Sequence, residues 1–231
     1  MRFLLITEAR SGTHMLRGVF NNHPDVVGFC DYRQDLVSVK GGLTQFLSKV
    51  YSQVPPGSNI GAFTHFGELR RLSDTEKTGW IDRDWQSLRE IHDRIIVLTR
   101  KSSLRRFLSI RLATAKGDPN WSCDTPRESA PPLFDFDISR FTKWHHLSKQ
   151  NTREISKLME PYLHIVYEDL VSDWMGTMQR VYEYLGLSWD NPQIVPIQQE
   201  TRPLEDIVKD WDSVLQDASA RGINLLGMPY G

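Results

Sequence analysis

Four short apolar runs stand out along the chain, and each is followed by a polar break. Phe3-Leu4-Leu5-Ile6-Thr7 is compact and unbroken, the pattern of a strand buried on both faces of a parallel sheet. It leads through Ala9-Arg10-Ser11-Gly12-Thr13 into a helical pattern with Leu16, Val19 and Phe20 at i, i+3 and i+4. His23-Pro24-Asp25 stops that helix, since the residue before a proline is pushed out of the α region. Val26 to Phe29 predicts a second strand and Ile95 to Thr99 a third, with helical spacing from Leu104 to Ala115 after it. His164 to Tyr167 predicts a fourth strand, preceded by a helix over 144–159 and followed by one over 173–185. Strand, loop and helix thus alternate at least three times, which predicts an α/β fold with a parallel sheet flanked by helices. The stretch 116–137 is rich in proline and polar residues and reads as a long surface loop, a candidate lid over a substrate.

Composition adds limits rather than a function. The 231 residues are 39% hydrophobic and 25% charged, enough for one domain with a full core, and the reading takes 1–231 as a single domain. Net charge is -1, so no global field points to nucleic acid, and an anionic ligand has to be recognised locally. Cys30 and Cys123 lack CxxC spacing and suggest neither a zinc site nor a disulfide framework. His145-His146 has no third ligand at metal spacing, so no metal is expected. No apolar stretch approaches the roughly 18 residues a membrane helix needs, and the expected location is cytoplasmic, without membrane insertion.

The segment after the first strand carries the clearest chemistry. A helix start presents amides without intrahelical partners at the positive end of the helix dipole. Gly12 permits close backbone approach, Ser11 and Thr13 add hydroxyls, and Arg10 adds a fixed charge: a cradle for a phosphate-like anion. The ATP-binding pattern GxxxxGK[ST] is absent, because Thr13 and His14 follow the glycine where lysine and a hydroxyl residue are needed.

FLLITEARSGTHML resembles the 5′-phosphosulfate loop of the sulfotransferase family, whose members use 3′-phosphoadenosine-5′-phosphosulfate (PAPS), release PAP and share a P-loop-like α/β fold. IIVLTRKSSLRRFLSIRLA resembles their 3′-phosphate segment, HIVYEDLVSDW with MQRVYEYLGL their late strand and helix, and QQETRPLEDIVKDW the C-terminal part of the nodulation-type enzymes that sulfate a lipochitooligosaccharide. The resemblance implies that Arg10, Ser11, Gly12, Thr13 and His14 hold the 5′-phosphosulfate. Arg10 would also neutralise the leaving oxygen. Arg100 and Ser109 would read the 3′-phosphate, with Lys101 competing for the role of Arg100, and Arg202 would close over the nucleotide. Arg105 and Arg106 read as a solvated basic face, and Glu168 and Asp169 as helix-start acids. For the general base, Asp31 stands where the bacterial enzymes carry a glutamate, and His65 in GAFTHFGEL is the rival.

The acceptor is expected to be a hydroxyl of a carbohydrate or small molecule, bound by the long loops. Trp80, Trp85, Trp121 and Trp144 are available for sugar stacking, although core packing is the commoner use of tryptophan. A nucleotide-dependent phosphotransferase and a non-catalytic PAPS- or nucleotide-binding module remain the alternatives, and self-association stays open.

Overall fold

In the computed structural model the described residues are 1–31, 48–65, 88–115, 133–192 and 203–225. They fall into two compact units. The first comprises Met1–Arg100 with Asn151–Val195, the second Lys101–Gln150 with Pro196–Gly231.

The first unit is built on a five-stranded sheet. Its strands are β1 (Arg2–Thr7), β2 (Val26–Asp31), β3 (Asn59–His65), β4 (Arg94–Thr99) and β5 (Leu163–Val166). They lie in the order β2-β3-β1-β4-β5, and every neighbouring pair is parallel. Helix α1 (Thr13–Asn22) follows β1 directly. The expected parallel α/β architecture is therefore present. The sequence reading lacked β3, which holds the place between β1 and β2.

Successive residues of a strand face opposite sides, and the apolar side chains divide accordingly. Leu4, Ile6, Ile60, Ala62, Ile95 and Val97 share one face with Tyr51, Leu88 and Met159. The other face carries an aromatic cluster: Phe3 meets Phe20 of α1 at 5.0 Å and Phe29 at 5.7 Å, and Phe29 stacks on Phe63 at 5.7 Å. Gly61 makes this cluster possible, because a Cβ there would lie 2.3 Å from the Phe3 ring and 2.4 Å from the Phe29 ring. Both faces are buried along β1 and β4, which explains their unbroken apolar runs.

In the second unit, α2 (Ser103–Ala115) and the first part of α3 (Ile138–Leu158) pack with a 3-10 turn at Leu204–Asp206 and α6 (Trp211–Ala220). Leu104, Phe107, Leu108, Phe141, Ile207 and Trp211 form its core. Helix α3 starts six residues ahead of the expected 144, because Asp137 caps it: its Oδ1 accepts from the Arg140 amide at 2.9 Å. Arg106 corrects the expectation of a solvated basic face. Its side chain is buried, its guanidinium lies 4.4 Å above the Trp144 ring, and Nη2 donates to Ser148 Oγ. Burial pushes its pKa down to about 9.

Back in the first unit, β5 runs into α4 (Tyr167–Ser172) and then α5 (Trp174–Leu185). Asp173 caps α5 by accepting from the Gly176 amide at 3.0 Å. Asp25 ties the entry of β2 to the end of α5, accepting from the Ser188 amide at 2.8 Å and the Ser188 hydroxyl at 2.6 Å. Among the described residues no helix is long and apolar enough to cross a membrane.

Candidate active site

The strand order places the site. The connection leaving β1 carries the chain towards β2 and β3, whereas the one leaving β4 carries it to β5 on the opposite side. The crevice between the carboxyl ends of β1 and β4 is thus the switch point at which open parallel sheets bind ligands. Two of the singled-out segments meet there: residues 8–13 after β1 and Arg100 after β4.

Backbone geometry shapes the first segment. Arg10 has φ 66 and Gly12 has φ 92, so left-handed residues alternate with ordinary ones and turn successive amides inward, the arrangement of an anion nest. Gly12 is the N-cap of α1 and makes no side-chain cap, and the first turn of α1 holds no acidic residue. The positive end of the helix dipole is therefore left to an external anion. Hydroxyls lock the base of the loop, with Thr13 Oγ1 donating to Thr7 Oγ1 at 3.3 Å and Thr7 Oγ1 to the Glu8 carbonyl at 3.0 Å. Thr13, expected among the anion ligands, thus has its proton directed at Thr7 in this structure. Ser11 differs. Its side chain is 0% exposed, yet Oγ is buried without a hydrogen-bond partner. A buried hydroxyl without a partner is costly, and an anion in the nest would supply one.

Arg100 lies against this loop. Nη1 donates to the Arg10 carbonyl at 3.2 Å, the guanidinium sits 4.6 Å from the Tyr167 ring centroid, and Nε is 3.7 Å from Glu168 Oε1. The same tyrosine packs beneath the glycine: a Cβ on Gly12 would lie 2.6 Å from Tyr167 Cδ2. Tyr167 and Glu168, the first residues of α4, were not singled out for this site from sequence. Only the tertiary fold brings them to residues 10–12, although the tyrosine–acid run was visible. Thr99 Oγ1 and His164 Nε2, 2.8 Å apart, join the ends of β4 and β5 beside Arg100, and burial lowers the pKa of His164.

The candidate bases lie on the same sheet edge. His65 ends β3 in register with Thr7, is buried, and meets Phe63 edge-on with ring centroids 5.9 Å apart. Asp31 ends β2 in register with Phe63. His14 is the second residue of α1. Ser109 is on α2 in the second unit, whereas Arg202, Trp80, Trp85, Trp121 and most of the 116–137 loop lie outside the described residues. Lys101 is exposed. Trp144 belongs to the aromatic core of the second unit, 5.5 Å from Phe107. His145 Nδ1 is 2.7 Å from Ser103 Oγ, and burial is the main cause that lowers its pKa. Among the described residues no group of three or more His, Cys, Asp or Glu could hold a metal ion.

Comparison with known proteins bears on the fold and the family. Residues 92–191, which contain β4, β5 and both Tyr167 and Glu168, match the model of the sulfotransferase family. Over that stretch the chain resembles the sulfotransferase family. Nodulation protein H of Rhizobium tropici is 23% identical to this chain over 198 residues, covering 80% of the chain and 75% of the relative. The fold is similar to that of mouse sulfotransferase SULT7A1, solved in complex with PAP, with a TM-score of 0.50 at 14% identity over 96% of this chain and 80% of that one. Together these matches support a sulfotransferase enzyme.

Proposed function

We propose that this protein is a sulfotransferase that uses PAPS as its donor and sulfates a hydroxyl of a carbohydrate or small-molecule acceptor. The observation that carries the donor assignment is the buried Ser11 hydroxyl, which has no partner inside a glycine-containing nest at the start of α1. The mouse relative solved with PAP supports it. When bound, PAPS supplies an activated sulfuryl group and leaves as PAP.

The roles of the chain's residues follow from transfer chemistry, in which positive groups at the leaving oxygen matter most. The inward amides of residues 10–14 and Ser11 Oγ hold the 5′ anion. The Arg10 side chain neutralises the charge that develops on the leaving oxygen, with His14 beside it at the start of α1. Arg100 supplies the fixed planar charge that reads the 3′-phosphate. Ser109 and Arg202 are assigned to the donor by the family resemblance alone, and 1–231 is taken as one sulfotransferase domain. Asp31, at the carboxyl end of β2, is assigned as the base that takes the acceptor proton, and His65 is its rival on β3. The proposal places the enzyme in the cytoplasm, in keeping with its two widely spaced cysteines.

The test is PAP release from PAPS across a panel of sugar and alcohol acceptors. Asp31→Asn is expected to lower kcat by about 10²-fold while PAP affinity stays within about twofold. His65→Gln is assayed beside it, and loss with that variant alone moves the base to His65. Phosphoryl transfer from ATP with magnesium, and no sulfuryl transfer to any acceptor, would refute the proposal.

A further inference from the structure

We propose that Glu168 is a positioning residue for the anion loop, keeping Arg100 braced against the Arg10 carbonyl so that the nest is shaped before a ligand arrives. This rests on reading residues 10–14 as the donor site.

Every contact of the Arg100 guanidinium described above faces the loop or α4. Its flat side covers Tyr167 at 4.6 Å, Nη1 reaches the Arg10 carbonyl at 3.2 Å, and Nε lies 3.7 Å from Glu168. The two charged side chains are 15% and 10% exposed, so their attraction acts with little screening by water. The carbonyl they hold belongs to a strained residue, since Arg10 has φ 66 without being glycine. Such a conformation persists only where its surroundings enforce it. Two consecutive residues of α4 therefore hold both turns of the nest. Tyr167 packs beneath Gly12 and Glu168 acts through Arg100 on Arg10. Without the carboxylate, Arg100 keeps its stacking on Tyr167 but loses a charge that helps to fix its direction, and the strained turn at Arg10 is held less firmly.

The position of the brace sets its signature. It acts on the 5′ side of the site, so any anion that enters the nest should be affected, whether or not it carries a 3′-phosphate. In Glu168→Gln, amide exchange over residues 10–14 in the unliganded protein should quicken about tenfold, the scale of one partly buried ion pair. Affinities for inorganic pyrophosphate and 5′-AMP should fall by a common factor of similar size, and that for PAP by at least as much, because Arg100 is also assigned to its 3′-phosphate. In an Arg100→Ala background the same substitution should change neither quantity, since Glu168 acts through Arg100. Glu168→Asp, shorter but still charged, should be intermediate. Urea midpoints measured alongside separate loop loosening from general unfolding.

Unchanged exchange in Glu168→Gln would overturn the proposal. So would a rise in anion affinity, which would make Glu168 a competitor for Arg100, or a loss confined to PAP. If wild-type protein shows no preference for PAP but loop exchange responds as described, the brace stands and the donor assignment falls.

Discussion

Replacing Ser11 by alanine removes one oxygen that serves no partner in the unliganded fold. The hydroxyl is fully buried and unpaired, so its removal relieves a desolvation penalty of about 1–3 kcal/mol. Part of this is returned because the vacated space is not refilled, leaving an expected gain of about 0–1 kcal/mol in unfolding free energy. With an anion in the nest the sign reverses. A hydrogen bond from a hydroxyl to a charged acceptor contributes about 1.5–3 kcal/mol, so affinity for PAP should fall by about 10- to 150-fold. Urea denaturation of the free protein and calorimetric titration with PAP measure the two quantities on the same variant. A stability loss above about 1 kcal/mol with unchanged PAP affinity would refute the reasoning, because Ser11 would then be a structural hydroxyl.

Other substitutions examine the surrounding architecture. Gly12→Ala forces a Cβ to 2.6 Å from Tyr167 at φ 92, so it should cost about 1–3 kcal/mol of stability and weaken PAP binding at least about tenfold, read by the same two assays. Gly61→Ala drives a methyl between the Phe3 and Phe29 rings and should lower the urea midpoint by the equivalent of about 1–3 kcal/mol. His92 is buried at the other end of the sheet between Tyr51 Oη and the Leu88 carbonyl, each 2.6 Å away, with Asp93 and Arg2 as its charged neighbours. Burial pushes its pKa down to about 4 from an ordinary 6.5, so the fold favours the neutral ring. The contribution is complete above pH 6.5 and is lost as pH falls towards 4, about 2 kcal/mol of it between pH 7.5 and 5. In His92→Gln that part of the acid sensitivity should vanish, as urea unfolding at the two pH values will show, and parallel losses in both proteins would contradict it.

Elements whose determinants are local in sequence were the legible ones. The loop from β1 to α1 announces itself through an apolar run, small residues and a helical period, all within about twenty positions. Strand β3 was hidden because Asn59, Gly61 and Thr64 interrupt the apolar pattern. Its glycine answers to two phenylalanine rings, one on β1 and one on β2. The early start of α3 was hidden by an aspartate cap inside a proline-rich stretch. Arg106 looked like surface charge, yet Trp144 and Ser148 on α3 cover it. At the site, Arg100 and residues 10–14 were legible as separate pieces. Their connection through Tyr167 and Glu168 was not, because it joins residues more than sixty positions apart.

The most direct test of the central claim is calorimetric titration of the purified protein with PAP, with 5′-AMP and ATP–magnesium as controls. The account predicts strong preference for the 3′-phosphorylated nucleotide, abolished by Arg100→Ala. Equal affinity for all three nucleotides, or none for PAP, would contradict it.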